Sequence, residues 1–362
     1  MTDAAHMRHA LRLAARGLGR VWPNPAVGCV IVREGRVVGR GWTQDGGRPH
    51  AETMALAQAG GQARGATAYV TLEPCAHTGK TPPCAEALIA AGVARVVAAL
   101  GDPDPRVNGQ GFAKLTQAGI EVATGVGADE ARAQQIGFLT RATLGRPMVT
   151  LKLAMTWDGR IATATGESQW ITGPKARARV HAMRARHDAV MVGGGTARAD
   201  DPTLTVRGLG IDHKTVRIVL SRHLDLPRDG QLARTTDHFP LWLVHGPDLS
   251  DRIAQIWTAR GATLIAAPVV QGQIEPAAAL QELGARGLTR VFCEGGGTLA
   301  ASLLAQDLAD RVALFTAGFA IGAEGIPGIG ALGLDRLAAA QRYRLAGQET
   351  LGPDVLSEWQ RA

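Results

Sequence analysis

The chain has 362 residues, an apolar fraction of 46% and a formal net charge of +7. These values are typical of a globular protein too long for one hydrophobic core. The basic residues are dispersed and only 4% of residues are aromatic, which argues against nucleic-acid binding because stacking platforms need aromatic rings. Neither a membrane-spanning apolar run nor a secretory signal stands in the sequence. We therefore expect two domains, a cytoplasmic location, and no membrane or nucleic-acid partner.

The first half of the chain alternates helical and strand patterns. In chain order we predict a helix at 4–17, hairpin strands at 28–33 and 37–42 around the turn 34–36, a helix at 52–59, a strand at 66–72, a helix at 82–91, a strand at 94–100 and a helix at 129–141. This order is typical of a mixed α/β sandwich. Gly145-Arg146-Pro147 then precedes a new strand, so we expect domains at 1–146 and 147–362.

The second half alternates in the same way. We predict strands near 149–155, 188–193, 216–221, 241–245 and 289–293, and helices near 174–187, 249–260, 276–284 and 298–306. The glycine-rich stretch 318–333 is predicted to be a loop. A second α/β domain follows from this pattern.

Three metal-ligating side chains stand in the first half. His50 and Glu52 open the helix predicted at 52–59, and Cys75 and Cys84 follow downstream. One imidazole and two thiolates fill three corners of a tetrahedral zinc site and leave the fourth for water, whose pKa zinc lowers to around 7. A carboxylate must then carry the proton to the leaving amine, and we predict that Glu52 does so, as in the zinc nucleobase deaminases. Cys29, like Cys293 in the second half, is predicted to be a core residue.

Eight residues separate Cys75 from Cys84, where ordinary cytidine and adenosine deaminases have two. The longer insert, with Leu72-Glu73-Pro74-Cys75 and Thr81-Pro82-Pro83-Cys84 in register, resembles the deaminase half of the bifunctional deaminase–reductases of riboflavin biosynthesis. Gly79-Lys80-Thr81 resembles the end of a phosphate-binding P-loop, but Pro74 replaces the glycine that this motif needs, which excludes a nucleotide triphosphatase.

A second segment of the first half resembles the same family. Pro23-Asn24-Pro25-Ala26-Val27-Gly28 is similar to the family's segment that lines the pyrimidine pocket. The resemblance implies that the Asn24 amide reads a ring edge, whereas the bare sequence fits a rigid turn equally well. His77 is either a substrate or supporting group of this site or a plain loop histidine.

Two glycine-rich turns follow predicted strands in the second half, Gly193-Gly194-Gly195-Thr196 and Glu294-Gly295-Gly296-Gly297-Thr298. The second leads into a helix, so its backbone N–H groups can hold a pyrophosphate. Neither is G-x-G-x-x-G, which excludes the Rossmann fingerprint. Together with Asp158-Gly159-Arg160 and the stretches 151–154, 166–172 and 199–207, they resemble the reductase half of the same family, whose fold is similar to that of dihydrofolate reductase.

The resemblance implies site residues in the second half. NADPH contacts are implied for Ala154, Trp170, Thr196, Asp200, Ser221, Gly296, Gly297, Thr298, Leu299, Ala300, Ala301 and Ser302. Contacts to the phosphoribosyl substrate are implied for Ser168, Arg184, Leu204, Arg207 and Glu294. Arg184 and Arg207 suit a phosphate because guanidinium groups bind it bidentately, although either is also typical of a solvated surface. Glu294 is the acid–base candidate, Arg222 is a candidate for the cofactor 2′-phosphate, and Trp157 departs from the family's usual leucine.

The resemblance thus implies a cytidine-deaminase-like α/β/α sandwich followed by a dihydrofolate-reductase-like α/β domain. It implies zinc-dependent hydrolytic deamination of 2,5-diamino-6-(5-phosphoribosylamino)pyrimidin-4-one, then NADPH-dependent reduction of its ribosyl group to ribityl. The expected partner is this phosphorylated pyrimidine, and a homo-oligomer is left open. Two alternatives also stay open: a nucleoside or transfer-RNA deaminase with an appended oxidoreductase-like domain, and a binding module that zinc merely stabilises.

Overall fold

The structure is a computed structural model that describes residues 2–77 and 82–362. The P-loop-like stretch Gly79-Lys80-Thr81 lies outside the described residues. The chain divides into two compact units, the first ending at Gly145 and the second spanning Arg146–Ala362. Among the described residues, no helix combines the length and apolarity needed to cross a membrane.

The first unit is a five-stranded mixed sheet with helices. Its elements are α1 (Asp3–Ala14), β1 (Gly28–Arg33), β2 (Arg36–Trp42), α2 (Ala51–Ala59), β3 (Thr67–Val70), α3 (Cys84–Ala90), β4 (Arg95–Ala98), α4 (Gln110–Gln117), β5 (Glu121–Thr124) and α5 (Ala128–Leu144). The strand order is β2-β1-β3-β4-β5, with β2 and β3 antiparallel to β1, and β4 and β5 continuing parallel to β3. All predicted elements are present, and α4 and β5 were missed.

Several predicted bounds in this unit differ from the structure by one to three residues, and two of the differences have a clear cause. The hairpin turn is Glu34-Gly35 alone, because Arg36 already pairs with Arg33 at the start of β2. Helix α3 begins at Cys84 rather than at residue 82, since Pro83 keeps an extended backbone before the helix. Cys84 nevertheless lies in the first turn, as predicted.

Helix α2 lies unusually close to strand β2. A Cβ atom at Gly41 would lie 2.0 Å from the carbonyl oxygen of Ala51, and one at Gly39 would lie 2.2 Å from that of Ala55. Only glycine permits this approach. The two glycines therefore set the position of the helix that carries His50 and Glu52 at its start.

The second unit is built on a nine-stranded sheet in the order β11-β10-β9-β8-β14-β6-β15-β18-β17. Its elements are β6 (Met148–Thr156), β7 (Arg160–Ala162), α6 (Pro174–Arg184), β8 (Ala189–Gly193), α7 (Gly194–Asp200), β9 (Val216–Leu220), α8 (Gln231–Arg234), β10 (Leu241–His245), α9 (Asp251–Ala259), β11 (Thr263–Ala266), β12 (Val269–Val270), β13 (Gln273–Ile274), α10 (Pro276–Ala285), β14 (Arg290–Cys293), α11 (Gly297–Ala305), β15 (Arg311–Ala317), β16 (Ile326–Pro327), β17 (Tyr343–Leu351) and β18 (Asp354–Arg361).

In the order of the sheet, the seven strands β11, β10, β9, β8, β14, β6 and β15 run parallel to one another. Strands β18 and β17 then extend the sheet in antiparallel orientation. Because parallel strands end at the same edge, the loops after β6, β8, β9 and β14 gather there, which is where open α/β sheets bind ligands. The predicted turn at Gly193-Gly194-Gly195-Thr196 was wrong in part, since α7 begins at Gly194. The loop predicted at 318–333 contains the short strand β16, which pairs with β7.

Arg146 begins the second unit as a buried residue. Its guanidinium forms two hydrogen bonds to the Asp310 carboxylate, at 2.8 and 2.9 Å, and the same carboxylate accepts the N–H of Val149 at 2.8 Å. This bidentate pair fixes the start of β6 beside the start of β15.

Candidate active sites

His50, Cys75 and Cys84 converge in the first unit. Their ligand atoms all lie within 4.8 Å of one another. Nδ1 of His50 is 3.3 Å from Sγ of Cys84 and 3.6 Å from Sγ of Cys75, and the backbone N–H of Cys84 donates to Sγ of Cys75 at 3.3 Å. One nitrogen and two sulfur donors at this separation suit zinc.

Helix starts place two of the three ligands. His50 precedes α2 with an extended backbone, and Cys84 is the first residue of α3. The partial positive charge at the start of α3 lies next to both sulfur atoms, because the N–H of Cys84 points at Sγ of Cys75, and it favours a thiolate there. Cys75 comes from the segment after β3, which returns alongside α3 through the hydrogen bond between the N–H of Ala85 and the Cys75 carbonyl.

The two thiols are electrostatically linked. The hydrogen bond between them lowers the pKa of Cys75 to about 4 and raises that of Cys84, because the pair shares one proton. The hydrogen bond to Cys75 also raises the pKa of His50. A cation placed among these groups would stabilise the second thiolate.

Glu52 lies in the first turn of α2 and is only 3% exposed. Burial raises its pKa to about 7, and the charge on Cys75 acts in the same direction. A carboxyl group that titrates near neutral pH can both accept and return a proton. Cys29, which is fully buried beside it, is a core residue as predicted.

Asn24 and His77 are less closely tied to this cluster. Nδ2 of Asn24 donates to the carbonyl of Gly47 at 3.4 Å, three residues before His50. Nδ1 of His77 is buried and has no hydrogen-bond partner among the described residues. Their roles stay predictions.

Glu73 is a buried residue whose role the sequence did not suggest. Oε2 accepts the backbone N–H groups of Asp102 and Gly109 at 3.2 and 3.0 Å, and Oε1 accepts those of Gly111 and Phe112 at 2.9 and 3.3 Å. This carboxylate therefore fixes the segment between β4 and α4, together with the first turn of α4, beside the stretch of chain that carries Cys75.

Glu73→Gln should loosen the segment between β4 and α4, because the amide nitrogen would face two N–H donors. We expect the free energy of unfolding to fall by about 3 kcal/mol, since hydrogen bonds to charged groups contribute ~1.5–3 kcal/mol each. Faster hydrogen exchange at the Gly109 and Gly111 amides would measure it. The matched control is Glu86→Gln in the exposed ion pair with Lys114, expected to cost under about 1 kcal/mol. Equal exchange rates in both variants would contradict the anchoring role.

The second unit holds a cavity of about 1200 Å³ at the edge where the parallel strands end. Most residues predicted to contact NADPH line it: Ala154, Trp170, Thr196, Asp200, Ser221, Gly296, Gly297, Thr298, Leu299 and Ser302. So do all five predicted substrate contacts, Ser168, Arg184, Leu204, Arg207 and Glu294. Ala300 and Ala301 do not line it, because they lie on the buried face of α11.

Arg184 and Glu294 form an ion pair in the cavity wall. Nε and Nη2 of Arg184 donate to the two carboxylate oxygens at 2.5 and 3.1 Å, and Nη1 donates to the Thr205 carbonyl at 2.8 Å. Burial disfavours the charge on Glu294, but Arg184 and Lys152 outweigh it and lower its pKa to about 2. A permanently ionised carboxylate does not donate a proton at neutral pH, which argues against Glu294 as the general acid.

Lys152 is the functional candidate that sequence reasoning missed. It lines the cavity from β6, its Nζ lies 3.8 Å from Oε2 of Glu294, and burial lowers its pKa. The signal was available, because one lysine interrupts the apolar strand 148–154, and buried lysines are rare unless paired or functional.

Further arginines line the cavity, among them Arg177, Arg207 and Arg222. Arg207 is exposed, and the guanidinium of Arg177 stacks on the Trp170 ring 4.6 Å from its centroid. At the end of β9, Arg222 pairs with Asp248 at 2.7 Å. Trp157 does not line the cavity and is 66% exposed.

Comparisons with known proteins agree with this two-part arrangement. Residues 1–100 match the family model "Cytidine and deoxycytidylate deaminase zinc-binding region", and residues 147–357 match "RibD C-terminal domain". The chain is 42% identical to the riboflavin biosynthesis protein RibD of Escherichia coli, over 98% of each chain.

Solved structures show the same likeness. RibD of Acinetobacter baumannii aligns with a TM-score of 0.89 at 37% identity, over 99% of each chain. A diaminohydroxyphosphoribosylaminopyrimidine deaminase/5-amino-6-(5-phosphoribosylamino)uracil reductase from Thermotoga maritima aligns with a TM-score of 0.86 at 33% identity, again over 99% of each chain. The predicted fold class, a deaminase-like unit followed by a reductase-like unit, is confirmed.

Proposed function

We infer the chemistry of each half from the premise that the chain belongs to the RibD family of bifunctional riboflavin-biosynthesis enzymes. It is an enzyme with a zinc-dependent deaminase and an NADPH-dependent reductase, acting on a small molecule. Relatives match both halves along the full chain. This disfavours a nucleoside or transfer-RNA deaminase with an unrelated appendage and a merely zinc-stabilised binding module.

The proposed substrate is 2,5-diamino-6-(5-phosphoribosylamino)pyrimidin-4-one, in agreement with the name of the Thermotoga relative. We assign deamination to residues 1–146 and reduction to 147–362. Four free thiols support a cytoplasmic location. The absence of a nucleic-acid partner stays a prediction, and whether the chain forms a homo-oligomer stays open.

The proposed deaminase site rests on the convergence of His50, Cys75 and Cys84, which would hold zinc. When bound, the metal supplies an activated water for attack on the ring carbon that bears the amino group. Glu52 accepts a proton and returns it to the departing amine, a task that its pKa of about 7 suits. The amide of Asn24 holds the edge of the ring.

In the reductase, NADPH when bound supplies the hydride for C1 of the ring-opened ribose. The N–H groups of Gly297 and Thr298 at the start of α11 hold the pyrophosphate, since the N–H of Gly296 donates to the Thr196 hydroxyl at 3.0 Å. Arg207 binds the substrate phosphate, while Arg184 fixes Glu294. Lys152 supplies the proton that accompanies hydride addition, since its ammonium group lies in the cavity wall 3.8 Å from the Glu294 carboxylate and its burial lowers its pKa. Arg222 meets the cofactor 2′-phosphate.

The assay supplies the diamino substrate with NADPH and follows ammonia release and NADPH oxidation. We expect one ammonia released and one NADPH oxidised per substrate molecule converted. Lys152→Met should lower the reductase kcat roughly a hundredfold, the lower end of general acid–base contributions, and leave ammonia release intact. Exposed Lys175→Met is the matched control. Reduction within about threefold of wild type would exclude Lys152 as the proton donor, and ammonia release from cytidine but not the diamino substrate would refute the proposed substrate.

A further inference from the structure

The turn between β6 and β7 carries an aspartate that the proposed chemistry does not use. Oδ2 of Asp158 accepts the backbone N–H groups of Gly322 at 2.8 Å and Ile321 at 3.2 Å, and Oδ1 accepts the hydroxyl of Thr156. The hydrogen bond from Thr156, and then that from Gly322, lowers the pKa of Asp158. Asp158 is therefore an ionised acceptor for a segment distant along the chain.

That segment, residues 318–330, forms further hydrogen bonds with the turn between β6 and β7. The N–H of Gly328 donates to the Gly159 carbonyl at 2.9 Å, and Nε of Arg160 donates to the Gly322 carbonyl at 2.9 Å. Strand β16 also pairs antiparallel with β7. The turn and the segment thus form one hydrogen-bonded assembly with Asp158 as its charged acceptor.

The other side of segment 318–330 contacts the proposed cofactor site. Ile326 and Gly328 line the cavity, and the N–H of Gly330 donates to the Gly297 carbonyl at 2.9 Å. A Cβ at Gly297 would lie 2.8 Å from the Pro327 carbonyl oxygen, so the first residue of α11 must be glycine for this approach. The segment therefore connects Asp158, which is not among the cavity-lining residues, to the start of α11.

We propose that Asp158 is a positioning residue of the reductase, which holds segment 318–330 against the start of α11 so that this wall of the cavity is in place before NADPH binds. The role rests on the reductase function proposed above. A segment that is already ordered spares the cofactor the entropy cost of ordering it. Loss of the anchor should therefore weaken NADPH binding more than it slows hydride transfer.

The test measures the NADPH dissociation constant by calorimetry on the full chain, for wild type, Asp158→Asn and Asp158→Ala. Asparagine keeps one acceptor oxygen without the charge, and alanine removes both. We expect weakening of roughly threefold and roughly thirtyfold, because hydrogen bonds to a charged acceptor are each worth about tenfold or more. The exposed Asp237→Asn, with the same change of charge, should bind as wild type does.

A second readout uses a glutamate-specific protease, since Glu324 is exposed within the segment. NADPH should slow cleavage of the wild-type protein at Glu324. Without NADPH, the Asp158→Ala protein should be cleaved faster than the wild type, and NADPH should slow its cleavage by a smaller factor. KM for NADPH should rise more than kcat falls. Wild-type affinity and cleavage in both variants would overturn the positioning role, and the asparagine variant alone decides if the alanine protein does not fold. A wild-type protein that fails to bind NADPH would instead refute the proposed reductase.

Discussion

Cys84→Ala should yield a protein that contains no stoichiometric zinc and releases no ammonia from the diamino substrate. Three protein ligands leave one position of a tetrahedral site for water, so the loss of one ligand leaves two, too few for tight binding. Cys84 also donates its backbone N–H to Sγ of Cys75, so the backbone contact survives the substitution. The expected loss is therefore that of the thiolate alone.

The measurement is metal content by mass spectrometry together with ammonia release. Cys293→Ala is the matched control, because Cys293 is fully buried in β14 and is predicted to be a plain core residue. It should keep one zinc per chain. Full zinc occupancy in Cys84→Ala would contradict the proposed ligand set, whereas zinc loss in both variants would indicate a general loss of the fold.

The sequence predicted the types of residue at the first site better than their placement. His50, Cys75 and Cys84 carry the ligand chemistry whatever the fold, and their spacing is specific. Their convergence depends on Gly39 and Gly41, which let α2 approach β2, and no pattern in the sequence signals such an approach. The anchoring role of Glu73 could not be predicted for the same reason, since its four N–H partners lie 29 to 39 residues away in the sequence.

Three elements that the sequence analysis missed, β5, β17 and α7, have identifiable physical causes. β17 is exposed along most of its length and β5 at both of its ends, so neither shows the apolar alternation by which strands are recognised. α7 begins with two glycines, which have low helix propensity, but a Cβ at Gly194 would lie 2.9 Å from Cβ and Oγ of Ser221. Tertiary packing requires glycine there and overrides propensity.

The role of Arg184 shows the limit of reasoning from one residue type. A guanidinium fits a phosphate, and the sequence predicted a phosphate contact. In the structure three of its N–H groups donate to Glu294 and Thr205, and the phosphate contact stays a prediction. A buried carboxylate needs such a partner, and only the fold reveals that Glu294 and Arg184 are neighbours.

Glu52→Gln should separate the two chemistries of the chain. The amide cannot accept and return a proton, so deamination should fall roughly a hundred- to ten-thousandfold. Zinc content should stay at one per chain, because the ligand set does not include Glu52. Reduction should persist, because Glu52 belongs to the first unit and the cavity residues belong to the second.

The experiment supplies two substrates to the same Glu52→Gln protein. The diamino compound reports deamination through ammonia, and the already deaminated ribosylamino-uracil phosphate with NADPH reports reduction through nicotinamide oxidation. Exposed Glu130→Gln serves as the control and should retain both rates. Loss of both activities in a folded, zinc-replete Glu52→Gln protein would contradict independent sites and indicate one shared active centre. Retention of both would remove Glu52 from the mechanism, because a buried carboxyl with a pKa of about 7 would then have no part in proton transfer.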